Sequence, residues 1–170
     1  MESLSPFLDY RAQADLVPLV DQCLAQWQVL RQEAVDVLEL FVPSPEVHIQ
    51  DPTDIRLFIL PLKWQGKTLG WAGPCVDAIA RHPRVVSAMF SMSVPGCEIT
   101  PHIDNEEWIG PVWRIHIGLD CPEGCALMVD GQVQAWRDGQ ALMFDSPRVL
   151  HSAWNRSESP RLILILDVKR

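Results

Sequence analysis

His102-Ile103-Asp104 sets two metal-capable side chains at positions i and i+2. On a strand, such neighbours project from the same face. A third candidate, His151, arrives much later, inside another β-rich run. Two imidazoles and one carboxylate on one side of an ion leave the opposite positions open. A non-haem Fe(II) oxygenase needs that, because oxygen and a bidentate co-substrate must both reach the metal. Taken alone, the His-x-Asp pair also fits a polar strand end, and His151 alone fits a satisfied core histidine.

Arg161 stands ten residues after His151, at the start of the next β-rich run. The turn Asn155–Pro160 is expected to fold that strand back against the one carrying His151, which would let Arg161 fork onto a carboxylate in the same cavity. A dicarboxylate co-substrate needs such a group at its far end. The bland alternative for Arg161 is a surface charge at a strand start. In Trp113-Arg-Ile-His-Ile-Gly-Leu119, alternation puts Arg114, His116 and Gly118 on one face and Ile115, Ile117 and Leu119 on the other. A basic pair facing inward is costly unless an anion or a hydrogen-bond partner meets it, whereas a basic pair facing solvent costs nothing. Ser91 and Ser93 alternate on another strand and offer hydroxyl donors, or simply bond the backbone.

These residues must be carried by a scaffold, and the chain from Arg84 onward supplies one. Short β-rich runs recur at Val85–Val94, Trp113–Leu119, Ala126–Val129, Val133–Arg137, Ala141–Phe144, Leu150–Trp154 and Arg161–Val168, separated by Pro, Gly, Asp and Asn. Asp130-Gly131 between two runs predicts a hairpin. Many short strands with regular turn signals imply a sandwich or jelly roll. The last run is apolar on both faces, so it should be covered on both, by the opposing sheet and by helices. Upstream, Asp15 to about Leu40 has helical periodicity, with Asp15 as N-cap and a break near Arg31. Ile55–Leu62 reads as a strand, Gly66–Gly73 as a loop, and Pro74–Arg81 as a short helix begun by Pro74 and stopped by Pro83. Asp138, Asp145 and Asp167 are expected at turns or strand ends, and His48 and His82 beside turns at the surface.

Bulk properties bound the rest. A chain of 170 residues that is 48% hydrophobic suits one domain with a packed core. We expect a single domain over 1–170, with a helical part at 1–50 and a β core at 55–168. The net charge of −8 argues against nucleic acid and anionic membranes as partners. No long apolar run could span a bilayer, and Met1 to Tyr10 does not read as a signal peptide, so a cytoplasmic location is expected. The five scattered cysteines are then free thiols, and Cys121-x-x-x-Cys125 has poor spacing for zinc.

Six stretches together resemble a known family. They are Ser-Ala-Met-Phe-Ser-Met-Ser-Val-Pro-Gly (87–96), Pro-His-Ile-Asp (101–104), Arg-Ile-His-Ile-Gly-Leu (114–119), Gly-Gln-Ala-Leu-Met-Phe-Asp (139–145), His-Ser-Ala-Trp-Asn (151–155) and Arg-Leu-Ile-Leu-Ile-Leu-Asp-Val (161–168). In order and spacing they are similar to the catalytic domain of aspartyl/asparaginyl β-hydroxylases, over roughly residues 55 to 168. The resemblance implies a double-stranded β-helix and an Fe(II)- and 2-oxoglutarate-dependent dioxygenase. Iron would be held by His102 and His151, with Asp104 completing the triad. Arg161 and Ser91 would hold the distal carboxylate of 2-oxoglutarate, His116 would contact the carboxylate nearer the metal, and Arg114 would lie at the co-substrate or substrate side.

Animal members of that family carry glycine where this chain has Asp104, and an acid there disfavours halogenation. The implied reaction couples oxidative decarboxylation of 2-oxoglutarate to hydroxylation of an unactivated C–H. The expected substrate is Asp- or Asn-like: a free amino acid, a carrier-bound residue or a peptide. The same chemistry on an unrelated small molecule is the alternative, and a lipid ranks lower because no membrane segment is present. From a different class, a jelly roll that binds metal or ligand without turnover also fits the fold.

Overall fold

The computed structural model describes residues 5–45, 51 and 53–170. Among the described residues, eleven strands form two antiparallel sheets. The larger sheet contains β1 (Val42–Pro43), β2 (Leu57–Trp64), β3 (Lys67–Thr68), β4 (Val85–Ser93), β6 (Val112–Asp120), β9 (Ala141–Phe144) and β11 (Arg161–Lys169), in the order β1-β2-β4-β11-β6-β9 with β3 paired to β2. The smaller contains β5 (Glu98–His102), β7 (Cys125–Val129), β8 (Gln132–Ala135) and β10 (His151–Asn155), in the order β5-β10-β7-β8. The chain alternates between the sheets, which is the jelly-roll arrangement of a double-stranded β-helix. Asp130 and Gly131, at φ 45° and 80°, make the expected β7–β8 hairpin.

β11 lies at the centre of the larger sheet and pairs with β4 on one side and β6 on the other. Its alternation sorts two environments. Leu162, Leu164, Leu166 and Val168 face a core shared with Leu16, Leu19, Val20, Leu30, Val76 and Ile79. Ile163 and Ile165 face the other way, toward the smaller sheet. The strand is therefore covered on both faces, because a run without polar alternation has no face to give to water.

The helices that cover it are α1 (Val17–Ala25), α2 (Trp27–Val35) and α3 (Pro74–Ala80). The helical break falls at Gln26, not near Arg31. Arg31 stays within α2 and its guanidinium grips Asp120 at 2.7 Å. Asp15 is not an N-cap either. Leu16 holds that position, in helical geometry, while the Asp15 carboxylate pairs with Arg84. Buried Glu33 accepts hydrogen bonds from the amides of Cys75 (2.7 Å) and Val76 (2.8 Å), tying α2 to the first turn of α3.

Three further departures bear on the site. β5 escapes the sequence pattern because Pro101 interrupts it, and proline is tolerated there because β5 is an edge strand. β5 ends at His102, so Asp104 lies in the following loop, just before a short helix α4 (Glu106–Ile109) capped by Asn105. The 155–160 turn does not make a hairpin. It carries the chain from the smaller sheet to the larger one, so β11 opposes β10 across the cavity instead of pairing with it. His48 lies outside the described residues. Among those described, no helix is long and apolar enough to cross a membrane.

Candidate metal centre

His102 and His151 are brought together by strand register. They are direct partners across the β5–β10 ladder, with ring centroids 4.3 Å apart. Each ring is turned by its own backbone: His102 Nδ1 lies 2.7 Å from the Thr100 carbonyl and His151 Nδ1 lies 3.0 Å from that of Val149. A carbonyl can only accept, so both Nδ1 atoms carry the proton and both Nε2 lone pairs are left for a ligand. They point at the Asp104 carboxylate, at 3.6 Å for His102 and 3.8 Å for His151. One ligand atom from each residue lies within 4.8 Å of the others. Ligand bonds of roughly 2.1 Å meeting at right angles put ligand atoms about 3 Å apart. Sub-ångström movement suffices to close the set on one ion, and the donor set of two imidazoles and a carboxylate suits Fe(II).

Charge states favour binding. Burial alone would raise the Asp104 carboxyl, but the Arg114 guanidinium, and then His102 and His151, hold it well below the usual carboxylate range. Burial pushes the His151 imidazole down to about 4, partly opposed by Asp104, so it is neutral and unprotonated at Nε2 near pH 7. At Asp104 and His151, then, no proton has to be displaced before a metal can bind.

His102 and His151 line a cavity of about 150 Å³ between the two sheets, together with Ser91, Arg114, His116 and Arg161. Arg161 is fully buried, at 2% exposure. Its Nη2 donates to Ser91 Oγ at 3.2 Å, its Cζ lies 4.6 Å from the Trp136 ring centroid, and its Nε has no partner among the described residues. Among the described residues no carboxylate meets this guanidinium. A buried cation left so is costly, and an anion entering the cavity would remove the cost. His116 is held similarly. Burial and the Arg114 and Arg161 charges push its pKa well below the ordinary value. Its Nδ1 accepts from Trp136 Nε1 at 3.2 Å, which leaves the proton on Nε2, and that atom has no partner among the described residues. The pocket therefore offers two buried, unsatisfied donors beside a metal-capable triad, as a bidentate oxo-acid with a distal carboxylate would require.

Trp136 was not legible as a site residue. It closes the Val133–Arg137 run, and nothing in its sequence setting distinguishes it from a core aromatic. In the fold it contacts both donors. It reaches them because the backbone at Arg137 passes directly over Gly118, where a Cβ would collide with the Arg137 carbonyl. Trp136→Leu should therefore weaken binding of a dicarboxylate such as 2-oxoglutarate by roughly 30-fold while leaving metal affinity intact. The reasoning is loss of one cation–π contact and one buried hydrogen bond, each worth roughly 1 kcal/mol. Calorimetric titration of the metal-loaded protein checks it.

Sequence reasoning also misplaced Asp167. It is not a strand-end residue but a fully buried carboxylate within β11, gripped by Arg114 through Nε (2.7 Å) and Nη2 (2.9 Å). Arg114 Nη1 lies 2.6 Å from Asp104. Arg114 and His116 do share the inward face of β6, and Ile115, Ile117 and Leu119 fill the helix-side core.

A family model described as aspartyl/asparaginyl β-hydroxylase matches residues 24–170. The chain belongs to that family. An ornithine lipid ester-linked acyl 2-hydroxylase from Rhizobium tropici is 38% identical, over 53% of this chain and 32% of the relative. Human aspartyl/asparaginyl β-hydroxylase is 28% identical, over 88% of this chain and 21% of its own length. The chain thus spans about a third or less of these two hydroxylases. Among solved structures, a 2OG-Fe(II) oxygenase family oxidoreductase from Burkholderia pseudomallei superposes with TM-score 0.58 at 12% identity, covering 89% of this chain and 90% of that one. This likeness bears on the fold, and it agrees with the jelly-roll reading of the two sheets.

Proposed function

We propose that this β-hydroxylase family member is an Fe(II)- and 2-oxoglutarate-dependent dioxygenase that hydroxylates its substrate. The observation that carries the reading is the buried Arg161 guanidinium, met by no carboxylate among the described residues, in the cavity lined by His102 and His151, the two histidines that group with Asp104. A metal site alone would not need a buried cation nearby, since like charges repel. A dicarboxylate bridging the two needs both. His102, Asp104 and His151 would hold Fe(II). Arg161 and Ser91 would hold the distal carboxylate, and the His116 Nε2–H would donate to the carboxylate nearer the metal. Bound together, iron and 2-oxoglutarate would supply the oxidising power, with one oxygen atom of O₂ ending in succinate, released with CO₂, and the other in a substrate C–H. The protein's own contribution is orientation and exclusion of water.

The family supports an Asp- or Asn-like side chain as substrate, free, carrier-bound or within a peptide. A second reading is an alkyl or acyl group, and the cavity wall favours it: Leu57, Ile59, Met89, Ile99 and Ile165 line it. Anaerobic loading with Fe(II), addition of 2-oxoglutarate and oxygen, and quantification of succinate against a panel of peptides, amino acids and acyl amides tests both. Succinate released in proportion to a gain of one oxygen in one panel class is expected. Tight 2-oxoglutarate binding with no succinate under any condition would make the chain a binding jelly roll, and absence of 2-oxoglutarate binding by iron-loaded protein would end the co-substrate assignment.

A further inference from the structure

We infer that Arg114 and Asp167 are positioning residues for the third metal ligand, rather than contacts for the co-substrate; the inference rests on the metal reading of His102, Asp104 and His151. Asp104 sits in a loop, outside the strand that fixes His102. Its backbone amide reaches the Ser146 carbonyl at 3.2 Å, which anchors the main chain but does not orient the carboxylate. That orientation comes from Arg114, whose Nη1 holds Asp104 Oδ2 at 2.6 Å and leaves Oδ1 toward His102 Nε2. Arg114 is itself fixed by the opposite edge of its guanidinium on Asp167, its direct partner across the β6–β11 ladder. The two central strands thus deliver a rigid planar fork to a loop residue.

The charge count explains why a second acid is needed. Arg114 alone would neutralise Asp104 and make it a poor ligand for a cation. Asp167 neutralises Arg114 instead: two carboxylates and one guanidinium leave one negative charge, and of the two carboxylates it is Asp104 that groups with His102 and His151. Asp167 therefore acts on the metal site without touching it. A merely structural pair would stabilise the sheet and have no specific effect on Asp104.

The test is a double-mutant cycle on metal affinity, with Co(II) as the probe, titrated by its visible absorption, and thermal melts as the fold control. Asp167→Asn in the otherwise native chain should weaken Co(II) binding by about 10-fold or more, in the range typical of groups that orient a ligand. In an Asp104→Ala background the same change should cost nothing further, because the ligand it positions is gone. Arg114→Lys should behave like Asp167→Asn, since a point charge cannot grip two acids at once. If Asp167→Asn does not fold, the paired apolar replacement Arg114→Met with Asp167→Leu removes both charges together and is the better tolerated change; the same loss, absent in the Asp104→Ala background, is expected. Equal losses with and without Asp104, or no loss in the native background, would overturn the positioning role while leaving the metal reading intact. Failure of the unmutated protein to bind Co(II) or Fe(II) would overturn both.

Discussion

Arg161→Ala is expected to raise the 2-oxoglutarate concentration for half-saturation by about 30-fold to several thousand-fold, with Fe(II) affinity unchanged. Truncating one partner of a buried, hydrogen-bonded charge pair costs roughly 2–5 kcal/mol, and 1.4 kcal/mol is a factor of ten. Arg161→Lys should recover little, because an ammonium offers a point charge where the site presents a planar fork stacked on Trp136. A different substitution at Arg161 carries a second prediction of opposite sign. Without ligand, Arg161 is a buried cation whose neighbours among the described residues are a hydroxyl, an indole face and thiols. Arg161→Met should leave the melting temperature of the ligand-free protein unchanged or higher, since replacing a buried charge by an apolar side chain of similar volume is often neutral or stabilising. A residue kept for packing would destabilise on replacement and leave co-substrate binding alone. Indistinguishable 2-oxoglutarate titrations for the native, Lys and Ala proteins would remove Arg161 from the site and most of the case for this co-substrate.

Much of this architecture could be read from the chain, for physical reasons that differ by element. β11 was legible because Leu162–Leu166 is five consecutive apolar residues, so neither face of a strand there could be given to water, and β11 is covered on both. β6 was legible through period-2 alternation, which put Arg114 and His116 on one face. The Asp130-Gly131 hairpin was legible because two consecutive positive φ values select those residues. His102, His151, Ser91, His116 and Arg161 were singled out, and all five line one cavity.

What was hidden depended on tertiary register. Local pattern places Arg114 and Asp167 on separate strands, but only the pairing of β6 with β11 makes them neighbours. Asp167 looked like a strand-end acid because an Asp before Lys169-Arg170 usually is one. Trp136 reaches His116 and Arg161 only because the chain crosses over Gly118. The His-x-Asp pair converges on one point although Asp104 has left the strand. Alternation therefore pointed to the right residues by a geometry that the loop does not use. Charge pairs and crossing loops are long-range facts, and a local reading of sequence has no means to assign their register.

The metal ligands should show the steepest dependence of all. His151→Ala and His102→Ala are each expected to weaken Fe(II) binding well beyond 100-fold, since changes in groups that merely orient a ligand already cost about 10- to 100-fold. Each removes one of two imidazoles whose rings are oriented by backbone carbonyls, and His102, Asp104 and His151 are the metal-capable group among the described residues. Asp104→Ala should cost less. Its carboxylate site is bordered by the Arg114 guanidinium, so formate or a halide from solution can take the vacated place beside that cation. Added formate should therefore recover part of the Fe(II) affinity of Asp104→Ala and none of that of His151→Ala. Anaerobic equilibrium titration of the four proteins, with and without formate, reads all of this. Near-native Fe(II) affinity in both histidine variants would remove the metal centre, and a formate effect of equal size in every variant would mean that the anion binds elsewhere.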